Sequence, residues 1–227
     1  MRAVCYHGKM QDKDIHTVLA IVEEDCRQWQ LPSVTVIAGE YRSPFHVLVS
    51  CIISLRTKDS VTAAAATRLF RHAATAEALA ALHPDEIATL IYPAGFYRNK
   101  AAQLQMISRR LLDEYNGQVP DDLETLLTFK GVGRKTANLI LTLGFGKPGI
   151  CVDIHVHRIT NRWGYVSCAT PDQTELALRA KLPTEHWLAI NDLLVSYGQH
   201  RCFPVNPACS SCRIASWCRR VGVQRHR

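Results

Sequence analysis

Between Asp14 and Trp29 the apolar residues Ile15, Val18, Leu19, Ile21 and Val22 recur at three- and four-residue spacing, which lays one stripe along an α-helix. The segment that Ser43 opens, through Leu55, is apolar almost throughout and suits a helix buried on all sides. Val61 to His72 is rich in alanine, the best helix former. Further helical patterns cover 75–82, 84–91, 98–115, 122–128, 134–144, 153–163, 171–181, 185–200 and 211–219. Three sites place a capping residue before a proline at the first helical position: Ser43-Pro44, His83-Pro84 and Thr170-Pro171, histidine being the poorest cap of the three. The one strand-like run is the short Val34-Thr35-Val36-Ile37. The pattern predicts an all-α protein without internal repeats.

A chain of 227 residues can bury one ample core or two modest ones without disulfides or a structural metal. The first twenty residues hold no long apolar run, so neither a signal peptide nor a membrane span is expected. The chain is therefore expected to be soluble and intracellular, cytoplasmic or nucleoid-associated, with no membrane partner; a monomer is expected as well. Lys and Arg number 27 against 20 Asp and Glu, a formal charge of +7 that favours polyanions. Nine cysteines are an odd and high count for a disulfide scaffold. Cys5, Cys26, Cys51, Cys151 and Cys168 stand singly, mostly in apolar surroundings, as small buried hydrophobes do in a reducing compartment. The remaining four are clustered.

Three features could carry chemistry. In Phe129-Lys130-Gly131-Val132-Gly133-Arg134-Lys135-Thr136-Ala137 a short helix ends at a Gly-x-Gly turn and another begins at once. Glycine removes side chains, so main-chain N–H groups can approach a phosphate, and the positive end of the next helix adds to the pull. A plain helix–turn–helix with a glycine cap would read the same, but Arg134 and Lys135 favour a grip on the DNA backbone. Asp153 follows 18 residues after Lys135, flanked by Val152, Ile154 and Val156. It reads as a half-buried acid, a helix N-cap, or both. Finally, Cys202-x6-Cys209-x2-Cys212-x5-Cys218 gathers four thiols in 17 residues. Only one Cys-x-x-Cys pair is present, which is unlike the paired knuckles of structural zinc, and a compact set of four thiols suits a [4Fe-4S] cluster better.

Together, Gly131-Val132-Gly133-Arg134-Lys135-Thr136-Ala137, Val152-Asp153 with His155, and the 6-2-5 cysteine spacing resemble the endonuclease III family of helix–hairpin–helix DNA glycosylases. The likeness runs from about Ser43 to Cys218. It implies a six-helix barrel domain over 33–149 and a four-helix iron–sulfur cluster domain built from 1–32 plus 150–227. By the same resemblance the chain is a bifunctional DNA glycosylase and AP lyase. Its partner would be double-stranded DNA with damaged bases, oxidised pyrimidines above all, or abasic sites. Lys135 would be the nucleophile, Asp153 its acidic partner, and Cys202, Cys209, Cys212 and Cys218 the cluster ligands. DNA contacts would come from Gly131, Val132, Gly133, Arg134, His155, Arg56 and Phe96.

The sequence departs from the family at several places. Arg56 stands where a gap-filling glutamine is usual, and could meet either the orphaned base or a phosphate. Phe96 replaces an aliphatic wedge and could stack into DNA or pack in the core. Ile154 replaces a threonine and Lys130 a proline, and the Cys202–Cys209 loop lacks the family's basic residues, although Arg201, Arg213, Arg219 and Arg220 flank it. A monofunctional mismatch glycosylase, such as an adenine glycosylase, would carry Ser or Tyr in place of Lys135. A non-catalytic DNA-binding module would use Lys135 as a phosphate contact only.

Overall fold

The computed structural model describes residues 10–227; Cys5 and the rest of the first nine residues of the expected second domain lie outside them. Among the described residues every regular element is helical, as the periodicity predicts. The α-helices are α1 (Ile15–Cys26), α2 (Ser33–Tyr41), α3 (Pro44–Ser54), α4 (Asp59–His72), α5 (Ala76–Ala81), α6 (Pro84–Ile91), α7 (Tyr97–Tyr115), α8 (Leu123–Leu127), α9 (Arg134–Leu139), α10 (Ile154–Trp163), α11 (Pro171–Lys181) and α12 (Ile190–His200). α9 runs on into a π-helical turn, Ile140–Gly144. No helix among the described residues is long and apolar enough to cross a membrane.

Two expectations need correction. Val34 to Ile37 is not strand-like but lies in α2. There Val34, Ile37 and Ala38 are buried on one face while Val36 points outward, so the helical period outweighs the β-branched composition. The Asp59 carboxylate accepts from the Ser33 N–H (3.1 and 3.0 Å) and hydroxyl (2.8 Å), capping α2 from a distance. The stretch 211–219 is no helix either: past a 3₁₀ turn, Cys209–Ser211, it continues in turns. Of the three proline-led starts, Thr170 accepts from the Gln173 N–H at 3.3 Å. His83 and Glu86 form a reciprocal capping box, and Ser43 makes no side-chain cap.

The chain divides into two compact units. The central unit is Pro32–Gly149; the terminal unit joins the residues through Leu31 to Ile150–Arg227. In the central unit six helices (α2, α3, α4, α6, α7 and α9 with its π turn) run two turns or longer, while α5 and α8 are shorter. Its axis is α3, buried from Phe45 through Ile53 and packed against α2, α4, α7 and the α9 segment. The terminal unit holds α1, α10, α11 and α12 around Ile15, Val18, Leu19, Val22, Val156, Ile159, Trp163, Leu178, Leu194 and Tyr197. Each such side chain, fully buried, contributes roughly 1.5–3 kcal/mol by leaving water.

Within the α3 core, His46 stacks on Tyr41 with centroids 4.2 Å apart, and among the described residues neither ring nitrogen has a hydrogen-bond partner. Burial lowers its pKa from the ordinary 6.5, because a charged imidazole would be poorly solvated there. Above pH 6.5 both folded and unfolded chains keep it neutral. Below that value the unfolded chain takes up a proton that the fold resists, and stability falls as the pH drops towards the depressed folded pKa. His46→Phe should therefore flatten the fall of melting temperature between pH 7 and 5; an unchanged slope would place the acid sensitivity elsewhere.

Candidate active site

Asp122 starts α8 by accepting from the Thr125 N–H at 2.8 Å. The chain then reverses through Phe129 and Val132, both buried, with Val132 N–H donating to Phe129 C=O at 3.0 Å. Val132 thus turns its side chain into the core and offers the exterior only its main chain. α7 braces the turn: Gln103 donates to Lys130 C=O at 2.6 Å, and Arg110 to Thr128 C=O at 3.0 Å and Oγ1 at 2.9 Å. Gly131 sits at φ 78°, where a side chain is strained, and a Cβ there would lie 2.2 Å from the Gln103 amide. Gly133 caps α9 at an ordinary φ of −93°, and a Cβ there would meet nothing within 4 Å. The two glycines should therefore respond differently. Gly131→Ala should cost about 1–2 kcal/mol of stability. Gly133→Ala should melt as the parent does, because its methyl would only enter open space, and is expected to bind duplex DNA more weakly if the turn grips a phosphate. Equal affinity for Gly133→Ala and the parent in a titration would exclude the turn from DNA contact.

Lys135 stands half-buried in the first turn of α9, ahead of the buried Thr136, Ala137, Asn138 and Leu139. Burial pushes the Cys51 thiol on α3 up to about 11, and the charge of Lys135 is the one influence that draws it back. Asp153, in the terminal unit, is the N-cap of α10, one of the readings its sequence allows. Its Oδ1 accepts from the N–H groups of His155 (2.8 Å) and Val156 (2.9 Å), while Oδ2 accepts no hydrogen bond among the described residues. His155 directs Nδ1 to Arg158 Nη2 at 3.1 Å and packs closely over Gly198 of α12. Ile154 is 69% exposed, an isoleucine held in the open beside the acid.

Arg56 and Phe96 come together in the central unit. Both adopt left-handed backbone conformations (φ 51° and 57°), and the Arg56 guanidinium lies 5.5 Å from the Phe96 ring centroid. Phe96 is 60% exposed, so it is not a core residue. The turn that carries Arg56 is held by a residue with no local sequence signal. Lys100 is buried on α7, and its ammonium donates to Ile53 C=O (2.7 Å), Leu55 C=O (2.5 Å) and Thr57 Oγ1 (2.8 Å). It thereby satisfies the carbonyls at the end of α3 and pins the Arg56 turn. Burial lowers its pKa to about 8. Thr57 Oγ1 also accepts from the Gly95 N–H at 3.0 Å, and a Cβ on Gly95 would lie 2.3 Å from Arg56 C=O, so the two loops touch backbone to backbone.

In the terminal unit Cys202, Cys209, Cys212 and Cys218 line one cavity of about 330 Å³, part of it open to solvent, together with Arg162, Trp163 and Tyr197. Donors aim at the sulfurs: Arg162 Nη1 to Cys202 (3.2 Å), the Arg220 N–H to Cys218 (3.4 Å), with the Tyr197 hydroxyl 3.1 Å from Cys212. Such donors favour thiolates bonded to metal. Buried Arg162 further ties the loop through Phe203 C=O (2.8 Å) and Pro204 C=O (3.2 Å). Of the flanking arginines, Arg213 is committed to Glu24 and Asp25 at 2.8 and 3.0 Å, and Arg201 to Ser211.

The family pattern described as HhH-GPD superfamily base excision DNA repair protein matches residues 49–184. An endonuclease III of Thermotoga maritima is 46% identical over 175 residues, covering 77% of this chain and 82% of that protein. An endonuclease III trapped as a covalent intermediate with DNA superposes with a TM-score of 0.82 at 30% identity, over 92% of this chain and 96% of the other. A thermostable thymine-DNA glycosylase superposes at 0.79 with 25% identity, over 92% and 95% of the two chains.

Proposed function

The chain belongs to the endonuclease III family of the HhH-GPD superfamily, and from that premise we propose that Lys135 and Asp153 carry out its chemistry on damaged DNA. It is a base-excision-repair DNA glycosylase and AP lyase. The observation that carries the residue assignment is the hairpin itself. Gly131 supplies the left-handed turn and Gly133 leaves the start of α9 open, two residues ahead of Lys135, which supports a phosphate seat there.

As the N-glycosidic bond lengthens, positive charge builds on the sugar, and the Asp153 carboxylate stabilises it. The Lys135 amine forms a bond to C1′ while the C1′–N bond breaks, and the base departs with the electron pair and a proton. The nitrogen gives up one proton, which passes through Asp153 to the departing base, and keeps the other as the ring opens to a protonated imine, the ring oxygen taking up a proton from water. The imine acidifies C2′–H; loss of that proton breaks the C3′–O bond and cuts the strand. Before attack Lys135 must be neutral, against an unperturbed pKa of about 10.4, and the carboxylate receives its proton as attack proceeds. The substrates in this reading are duplexes with oxidised or ring-saturated pyrimidines and abasic sites. The flipped nucleotide leaves a gap that Arg56 and Phe96 enter, the ring stacking and the guanidinium meeting the orphaned base. Arg134 and the turn amides hold the phosphates, and His155 is carried by the first turn of α10, two residues after Asp153.

Cys202, Cys209, Cys212 and Cys218 fit a [4Fe-4S] cluster as ligands. Bound there, it would crosslink four positions of a chain that has no helix after Cys212 and so stiffen the loop; no step of the reaction passes through it. The purified chain should contain four iron and four acid-labile sulfide per molecule, and should release base and cut the strand on duplexes bearing single oxidised pyrimidines. Activity confined to mismatched thymine, without strand cutting, would replace this reading by that of a monofunctional glycosylase.

A further inference from the structure

We propose that His16, Glu185 and His186 form a surface site for a divalent first-row transition ion of the zinc type, separate from the cysteine centre. The three residues come from segments far apart in sequence. His16 lies in the first turn of α1, while Glu185 and His186 lie in a 3₁₀ turn, Thr184–His186, between α11 and α12. All belong to the terminal unit. His16 Nδ1 and His186 Nε2 stand 2.9 Å apart, and Glu185 Oε1 lies 3.7 Å from His16 Nδ1. Their three ligand atoms lie within 4.8 Å of one another, whereas two nitrogens bound to one zinc at about 2.0–2.1 Å would be roughly 3.4 Å apart. Small side-chain movements reach that geometry.

The rings are tilted by 52° with centroids 4.9 Å apart. They are therefore not stacked faces; their in-plane nitrogens converge. Without an ion, one of the two facing nitrogens carries hydrogen and the other a lone pair. Ligation needs two lone pairs, and a neutral donor ring supplies the second by moving its proton to its other nitrogen, with no change in net charge. Two imidazoles and one carboxylate are ligands that zinc and its first-row neighbours prefer, with solvent completing the sphere. The Asp12–Asp14 turn just ahead of α1 brings two further carboxylates, which offset the positive end of that helix.

The scaffold holds these groups in place from behind. Ile15 and Val18 beside His16 are buried, and the Trp187 indole donates to buried Leu182 C=O at 2.8 Å. A bound ion would staple α1 to the turn between α11 and α12, joining residues 170 positions apart in the sequence.

The test is zinc chloride titrated by calorimetry and by thermal melting into iron-loaded protein, the parent against His16→Ala/His186→Ala. Both variants change exposed or half-exposed side chains, so their melting without zinc should match the parent. The parent should bind one equivalent more than the double variant and gain ~5–10 °C at a hundredfold excess over Kd. His186→Gln, which can still hydrogen-bond to His16, should lose both effects. Equal stoichiometry and equal shifts in parent and double variant would assign any zinc to the cysteines and overturn the proposal. A full response in His186→Gln would do the same.

Discussion

Replacing Lys135 by alanine is expected to abolish strand cutting and to leave no borohydride-stable adduct with abasic-site DNA. The loss should reach ~10⁴-fold or more, since deleting the nucleophile removes the covalent route and leaves only binding and positioning. Folding should be unaffected, because alanine is the better helix former and Lys135 is only half-buried in the first turn of α9. Affinity for abasic duplex should fall far less, about tenfold at most, because the Gly131–Gly133 turn and Arg134 stay. The measurements are borohydride trapping, gel analysis of cleavage and a binding titration on one preparation. A persistent adduct would move the nucleophile elsewhere. Parallel loss of cleavage and affinity would make Lys135 a phosphate contact and the chain a binding module at this position.

The second large effect is expected at Asp153, where asparagine separates two roles that coincide in one side chain. Asparagine caps helices as well as aspartate does, so Oδ1 keeps its bonds to the His155 and Val156 N–H groups and melting should hardly move. What disappears is the charge. Base release should fall by roughly 10²–10³-fold, the scale of removing one electrostatic stabiliser from a transition state. Cutting at a preformed abasic site, where no base has to leave, should fall less. Asp153→Ala adds the loss of the cap, about 1 kcal/mol of stability. Wild-type rates in Asp153→Asn would leave the residue a cap and nothing more.

The features that were legible in the sequence share one property: their chemistry needs particular atoms at fixed short spacing. Two glycines two residues apart, a proline behind a capping threonine and four cysteines at 6-2-5 spacing declare themselves without a structure. Helix existence was legible because amphipathic period accumulates over several turns, as in α1 and α7. Val34–Ile37 misled because four β-branched-rich residues are too few to tell two periods apart; Ala38 and the Asp59 cap decide for helix. The 211–219 segment misled for another reason: its apolar positions fit a helix, but turns bring Cys212 and Cys218 to the cavity they share with Cys202 and Cys209. Lys100 was illegible because nothing local marks it. Its partners, Ile53, Leu55 and Thr57, lie more than forty residues away, and only packing reveals that a lysine in an alanine-containing helix end organises the turn of another. Phe96 stayed ambiguous until its backbone was seen, since a left-handed phenylalanine on the surface has no sequence signature.

The terminal unit is built from the two ends of the chain, and this governs how the protein comes off the ribosome. The α1 face formed by Ile15, Val18, Leu19 and Val22 emerges first, yet its partners on α10 and α12 follow only after all of Pro32–Gly149 has been made. At typical rates that interval is on the order of ten seconds, while local helix contacts form in microseconds to milliseconds. The central unit therefore matures as a contiguous piece during translation, and α1 keeps its apolar stripe uncovered until α10 and α12 have been made.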